Sequence, residues 1–284
     1  MSTWVWVDGT LTAASDARVG ALDHGITVGD GIFETAKVVD GTTFALTRHL
    51  ARLRRSAELI ELDLPWDDDH LRDACAETIA AADDDPANAA SGVGRVRITV
   101  TGGPGPLGSD RSDVAPTLIV AAGPSGTWPP SAAVATVRWT RNERSAVAGA
   151  KTTSYAENVV ALAEAHRRGA SEAILANSVG ALCEGTGSNV FLEVDGALCT
   201  PSLATGCLAG ITRALVCESV EVVERDDLTF EHLRSTSEAF VTSSTRDVQP
   251  IATVDDHHLP TTPGPLTEAA MLAFAALEAR TLDP

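Results

Sequence analysis

The sequence predicts a mixed α/β (α+β) protein in two domains, a small N-terminal α/β domain and a larger C-terminal mixed domain. Three observations predict it. Strand-type alternation and helix-type periodicity interleave along all 284 residues. No G-x-x-x-x-G-K-S/T or G-x-G-x-x-G fingerprint marks a nucleotide-binding sheet. The run Gly123-Pro-Ser-Gly-Thr-Trp128-Pro-Pro130 concentrates chain breakers directly after an apolar strand. We assign residues 1–122 to the small domain, 123–130 to a linker and 131–284 to the larger domain. Each domain is long enough to build a core.

Taken in order, Trp4 to Val7 alternates and stops at Asp8-Gly9, a tight-turn dipeptide, before Thr10-Leu11-Thr12, which reads as a hairpin. A glycine-rich turn at Gly29-Asp-Gly31 then enters an apolar strand that ends at Asp40-Gly41. Thr47 is placed to cap a helix through Ile60, with Leu50, Leu53, Ala57 and Ile60 at helical spacing and Arg48, Arg52 and Arg55 opposite. A second helix runs from Asp67 to Ala82. Arg95 to Thr101 alternates as a strand and breaks into Gly102-Gly-Pro-Gly-Pro-Leu107-Gly108, a loop suited to lining a site. Thr117 to Ala122 is a further strand.

In the second half, Thr153 to Gly169 reads as a helix and Ala173 to Leu175 as a strand turning at Asn177 to Gly180. Asn189 to Glu193 and Ala197 to Thr200 flank Asp195-Gly196, a second hairpin signal. A helix opens at Gly210-Ile-Thr212 and runs to about Glu218, followed by a strand at Val220 to Glu224. Phe240-Val241 leads into the polar run Thr242 to Pro250, and Pro265 to Ala279 closes the chain as a helix.

Composition narrows the partners. The net charge of −18 repels nucleic acid and anionic membranes, so neither is expected to bind. No apolar run approaches the ~18 residues of a membrane span, and the N-terminus lacks the basic and apolar regions of a signal peptide. Five cysteines without a C-x-x-C pair point to reduced thiols in a cytoplasmic protein. The seven histidines are scattered, His257-His258 reads as solvated surface, and no metal site is expected. Lysine scarcity with runs such as Asp67-Asp68-Asp69 matches the surface style of salt-adapted proteins.

Of 21 basic residues only Lys37 and Lys151 are lysines, and the single tyrosine, Tyr155, lies four positions after Lys151. An arginine stays protonated, whereas a lysine amine can deprotonate and form an imine with a carbonyl. Glu184 lies in a Gly/Ser turn able to hold a carboxylate inward. Gly210-Ile-Thr212 and Ser243-Ser244, at a helix start and a strand end, offer backbone N–H groups and hydroxyls to a phosphate. Amine, carboxylate and phosphate cradle are what pyridoxal 5′-phosphate requires.

The set Gly29-Asp-Gly-Ile-Phe33-Glu-Thr35, Arg48-His-Leu-Ala-Arg52-Leu, Lys151 with Tyr155, Glu184-Gly-Thr-Gly-Ser-Asn189-Val-Phe191, Leu208-Ala-Gly-Ile-Thr-Arg213 and Thr242-Ser-Ser244 resembles the class IV aminotransferases. These are the fold type IV pyridoxal-phosphate enzymes: branched-chain aminotransferases, D-amino acid aminotransferases and aminodeoxychorismate lyases. The resemblance implies two domains with the cofactor at their interface, and a homodimer in which a loop of one subunit closes the other's site. It implies that Lys151 bonds the cofactor and moves the α-proton, Glu184 pairs with the ring nitrogen and Tyr155 binds the phenolic oxygen. Arg52, Ile211, Thr212 and Ser244 would hold the phosphate, Ile211 through its backbone, with Ser243 adjacent. Arg52 is then the one arginine of its helix expected to turn inward.

The substrate-side positions are Phe33, Thr35, Arg97 and Leu107. Gly29 to Val38, and Arg246-Asp-Val-Gln-Pro250, look most like aminodeoxychorismate lyases. Branched-chain enzymes usually have glycine at Thr35 and an aromatic at Val28. D-amino acid enzymes usually have tyrosine at Phe33 and an arginine in the loop where this chain has Leu107, as many lyases also do. Arg97 falls where branched-chain enzymes place an arginine near the substrate carboxylate, and could serve any of these enzymes. The expected reaction is conversion of 4-amino-4-deoxychorismate to 4-aminobenzoate and pyruvate, for folate-type synthesis. The alternative is transamination of a branched-chain L-amino acid or a D-amino acid with 2-oxoglutarate.

Overall fold

Asp8 and Gly9 both take positive φ, 43° and 89°, the turn geometry whose twist matches two antiparallel strands. They join β1 (Trp4–Val7) to β2 (Thr10–Ala13). The computed structural model describes residues 2–284 and falls into two units. The chain passes from the first to the second between Thr127 and Trp128, inside the breaker-rich stretch, and Ala150–Tyr155 and Thr281–Pro284 return to the first.

In the first unit β1 and β2 join β3 (Gly31–Val39), β4 (Thr42–Thr43), β5 (Arg95–Thr101) and β6 (Thr117–Gly123) in a six-stranded sheet of order β2-β1-β6-β5-β3-β4. Every pairing is antiparallel. Period-2 alternation gives the sheet two unlike faces. Ile32, Ala36, Val38, Val96, Ile98 and Val100 pack against Leu50, Leu53 and Ala57 of α2 (Leu46–Leu59) and Leu71, Cys75 and Ile79 of α3 (Asp68–Asp83). The register sets Phe33 opposite Thr99 and Thr35 opposite Arg97 on the other face. A short helix, α1 (His24–Thr27), is capped by Asp23.

Helix ends differ from the sequence reading where caps come from elsewhere. Thr47, expected to cap α2, lies inside it; the cap position is Ala45, left-handed at φ 54° and without a side-chain bond. Asp283 supplies the missing acceptor, taking Thr47 N–H at 2.9 Å and the Thr47 hydroxyl at 2.5 Å. α3 follows the ordinary rule, with Asp67 accepting from His70 N at 2.8 Å.

The second unit holds β7 (Ala132–Arg141), β8 (Glu172–Asn177), β9 (Leu182–Gly185), β10 (Asn189–Val194), β11 (Ala197–Pro201), β12 (Val223–Arg225), β13 (Ala239–Ser243), β14 (Asp247–Val254) and β15 (His257–His258). They form one sheet of order β12-β11-β10-β13-β14-β7-β8-β9, with β15 on β14. β7 lies parallel to both neighbours. Val134, Ile174, Leu182, Val190, Val241 and Ile251 form one core layer. Ala161 and Ala165 of α4 (Ala156–Arg167) pack on Ala135, Val137, Ala173 and Leu175 in another. α5 (Ile211–Ser219), α6 (Phe230–Ser235) and α7 (Pro265–Arg280) complete the unit.

Three expectations change here. α4 starts at Ala156, not Thr153, and β12 starts at Val223, not Val220. β7 and much of β14 had no strand signal, because four consecutive residues of each are buried, and a strand covered on both faces loses the polar alternation that identifies a half-exposed strand. Among the described residues no helix is long and apolar enough to cross a membrane, no cluster of potential metal ligands exists, and all five cysteines are free thiols.

Candidate active site

Residues 151–153 run beside β3 and the chain bends at Thr153. Phe33 N–H donates to Lys151 O at 2.9 Å, Thr153 N–H donates to Gly31 O at 2.8 Å, and Ile32 bridges to Thr152. Such an approach leaves little room for side chains at two points. A Cβ on Gly31 would stand 3.0 Å from Thr153 Oγ1, and one on Gly29, at φ 71°, would meet Ser154 Oγ at 2.9 Å. Lys151 N–H donates to Ser56 Oγ of α2 at 3.1 Å. The lysine backbone is thus held from both the strand and the helix.

Around Phe33 the side chains converge. Lys151 Nζ lies 4.3 Å from its ring centroid and donates to Tyr155 OH at 3.3 Å. The Tyr155 ring meets Phe33 edge-on at 5.1 Å. The Arg97 guanidinium lies 3.6 Å from the same Phe33 centroid, and its Nε donates to Thr99 Oγ1 at 3.2 Å. Burial pushes the Arg97 pKa down, while Tyr155 and Glu34 oppose that fall. Among the described residues no carboxylate forms an ion pair with Arg97. Thr35 stands opposite it in register. Leu107, in the loop after β5, is 80% exposed.

Behind this face Glu34 points into the core. Its carboxylate receives Arg52 Nε and Nη2, both at 2.7 Å, and lies 2.7 Å from His49 Nδ1. All three residues are buried. Burial alone would raise the Glu34 pKa, but Arg52 and His49 outweigh it and hold the carboxyl well below its ordinary value. Arg52 does turn inward as expected, while Arg55 is exposed. What the sequence reading missed is the acid that receives it. The available signal was an acidic residue inside an apolar strand, with His49 and Arg52 one turn apart on the buried face of the next helix.

In the second unit Glu184, expected in a Gly/Ser turn, lies on β9 instead, buried, because Leu175 of β8 pairs with it. Arg141 Nε donates to its Oε1 at 2.9 Å and Leu208 N–H to its Oε2 at 2.9 Å. Arg141 also reaches Asn158 Oδ1 at 3.2 Å, and Asn158 Nδ2 donates to Thr186 O at 2.5 Å. Leu208 lies just before Gly210, which caps α5 without a side-chain bond, so Ile211 and Thr212 sit at an open helix N-terminus. Ser243 ends β13 and Ser244 follows in the turn. Thr242 Oγ1 beside them is buried with no hydrogen-bond partner among the described residues. Arg141 and Asn158 carried no sequence signal, since they meet Glu184 and its turn only through strand order.

A chain with these features and this fold has known relatives. The family model described as Amino-transferase class IV matches residues 31–254. The chain belongs to the class IV aminotransferases. A branched-chain-amino-acid aminotransferase of Pseudomonas aeruginosa is 31% identical, over 95% of this chain and 91% of that one. An aminodeoxychorismate lyase of Bacillus subtilis is 26% identical, over 95% and 93%. Among solved structures, a branched-chain aminotransferase from Thermoproteus uzoniensis with norvaline matches at TM-score 0.84 and 30% identity, covering 96% of this chain and 94% of that one. D-alanine aminotransferases also occur among the relatives, one from Listeria monocytogenes at 29% identity over 88% of this chain and 87% of that one.

As a class IV aminotransferase the chain is a fold type IV enzyme dependent on pyridoxal 5′-phosphate. Each unit, taken by itself, holds residue types that group requires. The first offers an amine in Lys151 and the second a buried carboxylate in Glu184. The open N-terminus of α5, with the unpartnered Thr242 hydroxyl, offers donors suited to a phosphate.

Proposed function

We propose that this chain is an amino acid aminotransferase acting on branched-chain, apolar amino acids. The observation that carries the reading is Arg97, a largely buried cation stacked on Phe33 without a carboxylate partner, on the ring that also faces Lys151 Nζ. A partly buried guanidinium with no carboxylate bonded to it, its nearest acid Glu34 already engaged by Arg52, gains from an anionic ligand. An α-amino acid puts a carboxylate one bond from the carbon whose proton must move, so it can engage Arg97 and Lys151 together. The 31% identity to a branched-chain enzyme supports the apolar side chain.

Pyridoxal phosphate, when bound, supplies the electron sink that makes the α-proton labile. Lys151 Nζ takes that proton and returns it, and the Tyr155 hydroxyl at 3.3 Å orients the amine. Phe33 excludes water from around Nζ. Glu184, held by Arg141 and Leu208 N–H, presents its carboxylate to the ring nitrogen. Arg52, the Ile211 backbone, Thr212, Ser243 and Ser244 are assigned to the phosphate. We further infer a cytoplasmic homodimer.

A lyase acting on 4-amino-4-deoxychorismate is the second reading, favoured by the resemblance over Gly29 to Val38. One panel separates the two. The enzyme is given L-leucine, L-valine or D-alanine with 2-oxoglutarate, and separately aminodeoxychorismate alone. Glutamate formed from L-leucine supports the proposal. Pyruvate released from aminodeoxychorismate without a keto acid, and no glutamate from any amino acid, replaces it with the lyase. Lys151→Ala should lower either activity by about a thousandfold or more and abolish the visible cofactor band.

A further inference from the structure

Glu172, the first residue of β8, is 1% exposed and lies in neither the lysine nor the phosphate motif. Its Oε1 accepts from Ala173 N and Thr186 N, both at 3.0 Å, and from the Thr186 hydroxyl. Its Oε2 accepts from Ser188 Oγ at 2.9 Å and faces Arg246 Nη2 at 3.2 Å. Thr186 and Ser188 belong to the turn that follows Glu184. That turn wraps the carboxylate closely: a Cβ on Gly185 would stand 2.3 Å from Ser188 Oγ and 3.1 Å from Glu172 Cδ.

Arg246 belongs to the other motif. It lies in the turn after Ser243-Ser244, and its backbone N–H donates to Ser243 O at 3.2 Å and Ser243 Oγ at 3.3 Å. Its guanidinium lies 4.0 Å from the Trp128 ring centroid, and Nη1 donates to Gln249 Oε1 at 3.3 Å. One buried ion pair therefore joins the turn after β9, the strand that carries Glu184, to the turn after Ser243 that carries Ser244. Every contact of Glu172 in this network is a donor. A carboxylate suits all of them, and an amide would turn an N–H₂ toward at least one.

We propose that Glu172 and Arg246 are a positioning pair that sets how tightly this chain holds its cofactor, by fixing the turn between β9 and β10, next to Glu184, against the turn between β13 and β14, next to Ser243. This rests on the reading in which Glu184, Ser243 and Ser244 hold pyridoxal phosphate. Neither residue of the pair acts on the substrate. They hold, at fixed separation, groups that bind opposite ends of one rigid molecule, so loosening the pair costs affinity before it costs fold.

The test uses the holoenzyme, stripped by dialysis and re-titrated with pyridoxal 5′-phosphate while the visible band is followed across pH. Variants are Glu172→Gln, Arg246→Gln, their double, Arg246→Lys, and the milder Ser188→Ala. Each single Gln variant should raise the cofactor Kd about tenfold and move the pH midpoint of the band. The double should be no worse than the worse single, and Arg246→Lys should recover part of the loss. If the Gln variants fail to fold, Ser188→Ala and Arg246→Lys carry the same comparison. A lowered Tm with unchanged Kd and midpoint, or strictly additive losses, overturns the pairing. A wild-type protein that shows no Lys151-dependent band overturns instead the reading beneath it.

Discussion

Arg97 illustrates how one side chain can be chemically ordinary in sequence and unusual in place. It sits on an antiparallel strand whose neighbouring residues Val96 and Ile98 enter the core, so the pleat sends it to the face shared with Phe33. Arg97→Ala should raise KM for the amino acid about ten- to a hundredfold, the scale of one charge-assisted hydrogen bond or ion pair. Its kcat should change by only a few fold, as steady-state kinetics would record, and a kcat loss with KM intact would refute a carboxylate role. Glu34 makes a separate prediction. In the unfolded chain its carboxyl regains the ordinary value of 4.5, while the folded value lies well below. The pair with Arg52 therefore adds stability above pH 4.5 and loses it as pH falls from there toward the folded value. Calorimetry should show a Tm falling more steeply through that acid range in the wild type than in Glu34→Gln. At neutral pH the substitution should cost about 3–5 kcal/mol, because Arg52 is left buried without its partner.

At the scale of elements, α2 shows where local rules stop. Its apolar spacing identifies the helix, but its N-terminus is completed by Asp283, 236 residues away. Asp283→Ala should cost about 0.5–2 kcal/mol, the range for losing an N-cap acceptor, and thermal melts should show it without loss of helical signal. An unchanged Tm would mean the contact is energetically neutral. The segment carrying Lys151 makes the same point in reverse. The apolar positions after Thr153 read as helix, yet the helix waits until Ala156, because the edge of β3 offers Phe33 N–H and Gly31 O as partners to Lys151 and Thr153. Tertiary hydrogen bonding overrides a weak helical pattern when it satisfies backbone groups directly.

For the whole molecule, charge is the readable property. A net charge of −18 repels itself at low ionic strength, and salt shortens the screening length to about 3 Å at 1 M. Raising KCl from about 0.05 M to 1 M should therefore raise Tm in a scan series; a Tm that falls would show that attractive Arg–Asp pairs outweigh the repulsion. The domain division is less readable. A linker at 123–130 is marked by proline and glycine, but residues 150–155 and 281–284 rejoin the first unit, and no breaker marks those returns.

From the residues alone came the mixed fold class, most helices and hairpins, the isolated lysine and tyrosine, and the resemblance to class IV aminotransferases. These are properties of pattern, spacing and residue chemistry, which act over a few neighbours along the chain. Strand order, and everything that depends on it, belongs to the tertiary structure. It gives Arg52 its partner Glu34, Glu184 its partner Arg141, and joins Glu172 to Arg246. Of the four substrate-side positions, Leu107 is solvent-exposed in this chain, while Arg97 stands beside Phe33, whose ring also faces Lys151. The reason is physical: a carboxylate or a guanidinium is indifferent to its sequence neighbours, and burial beside a distant partner settles what it does.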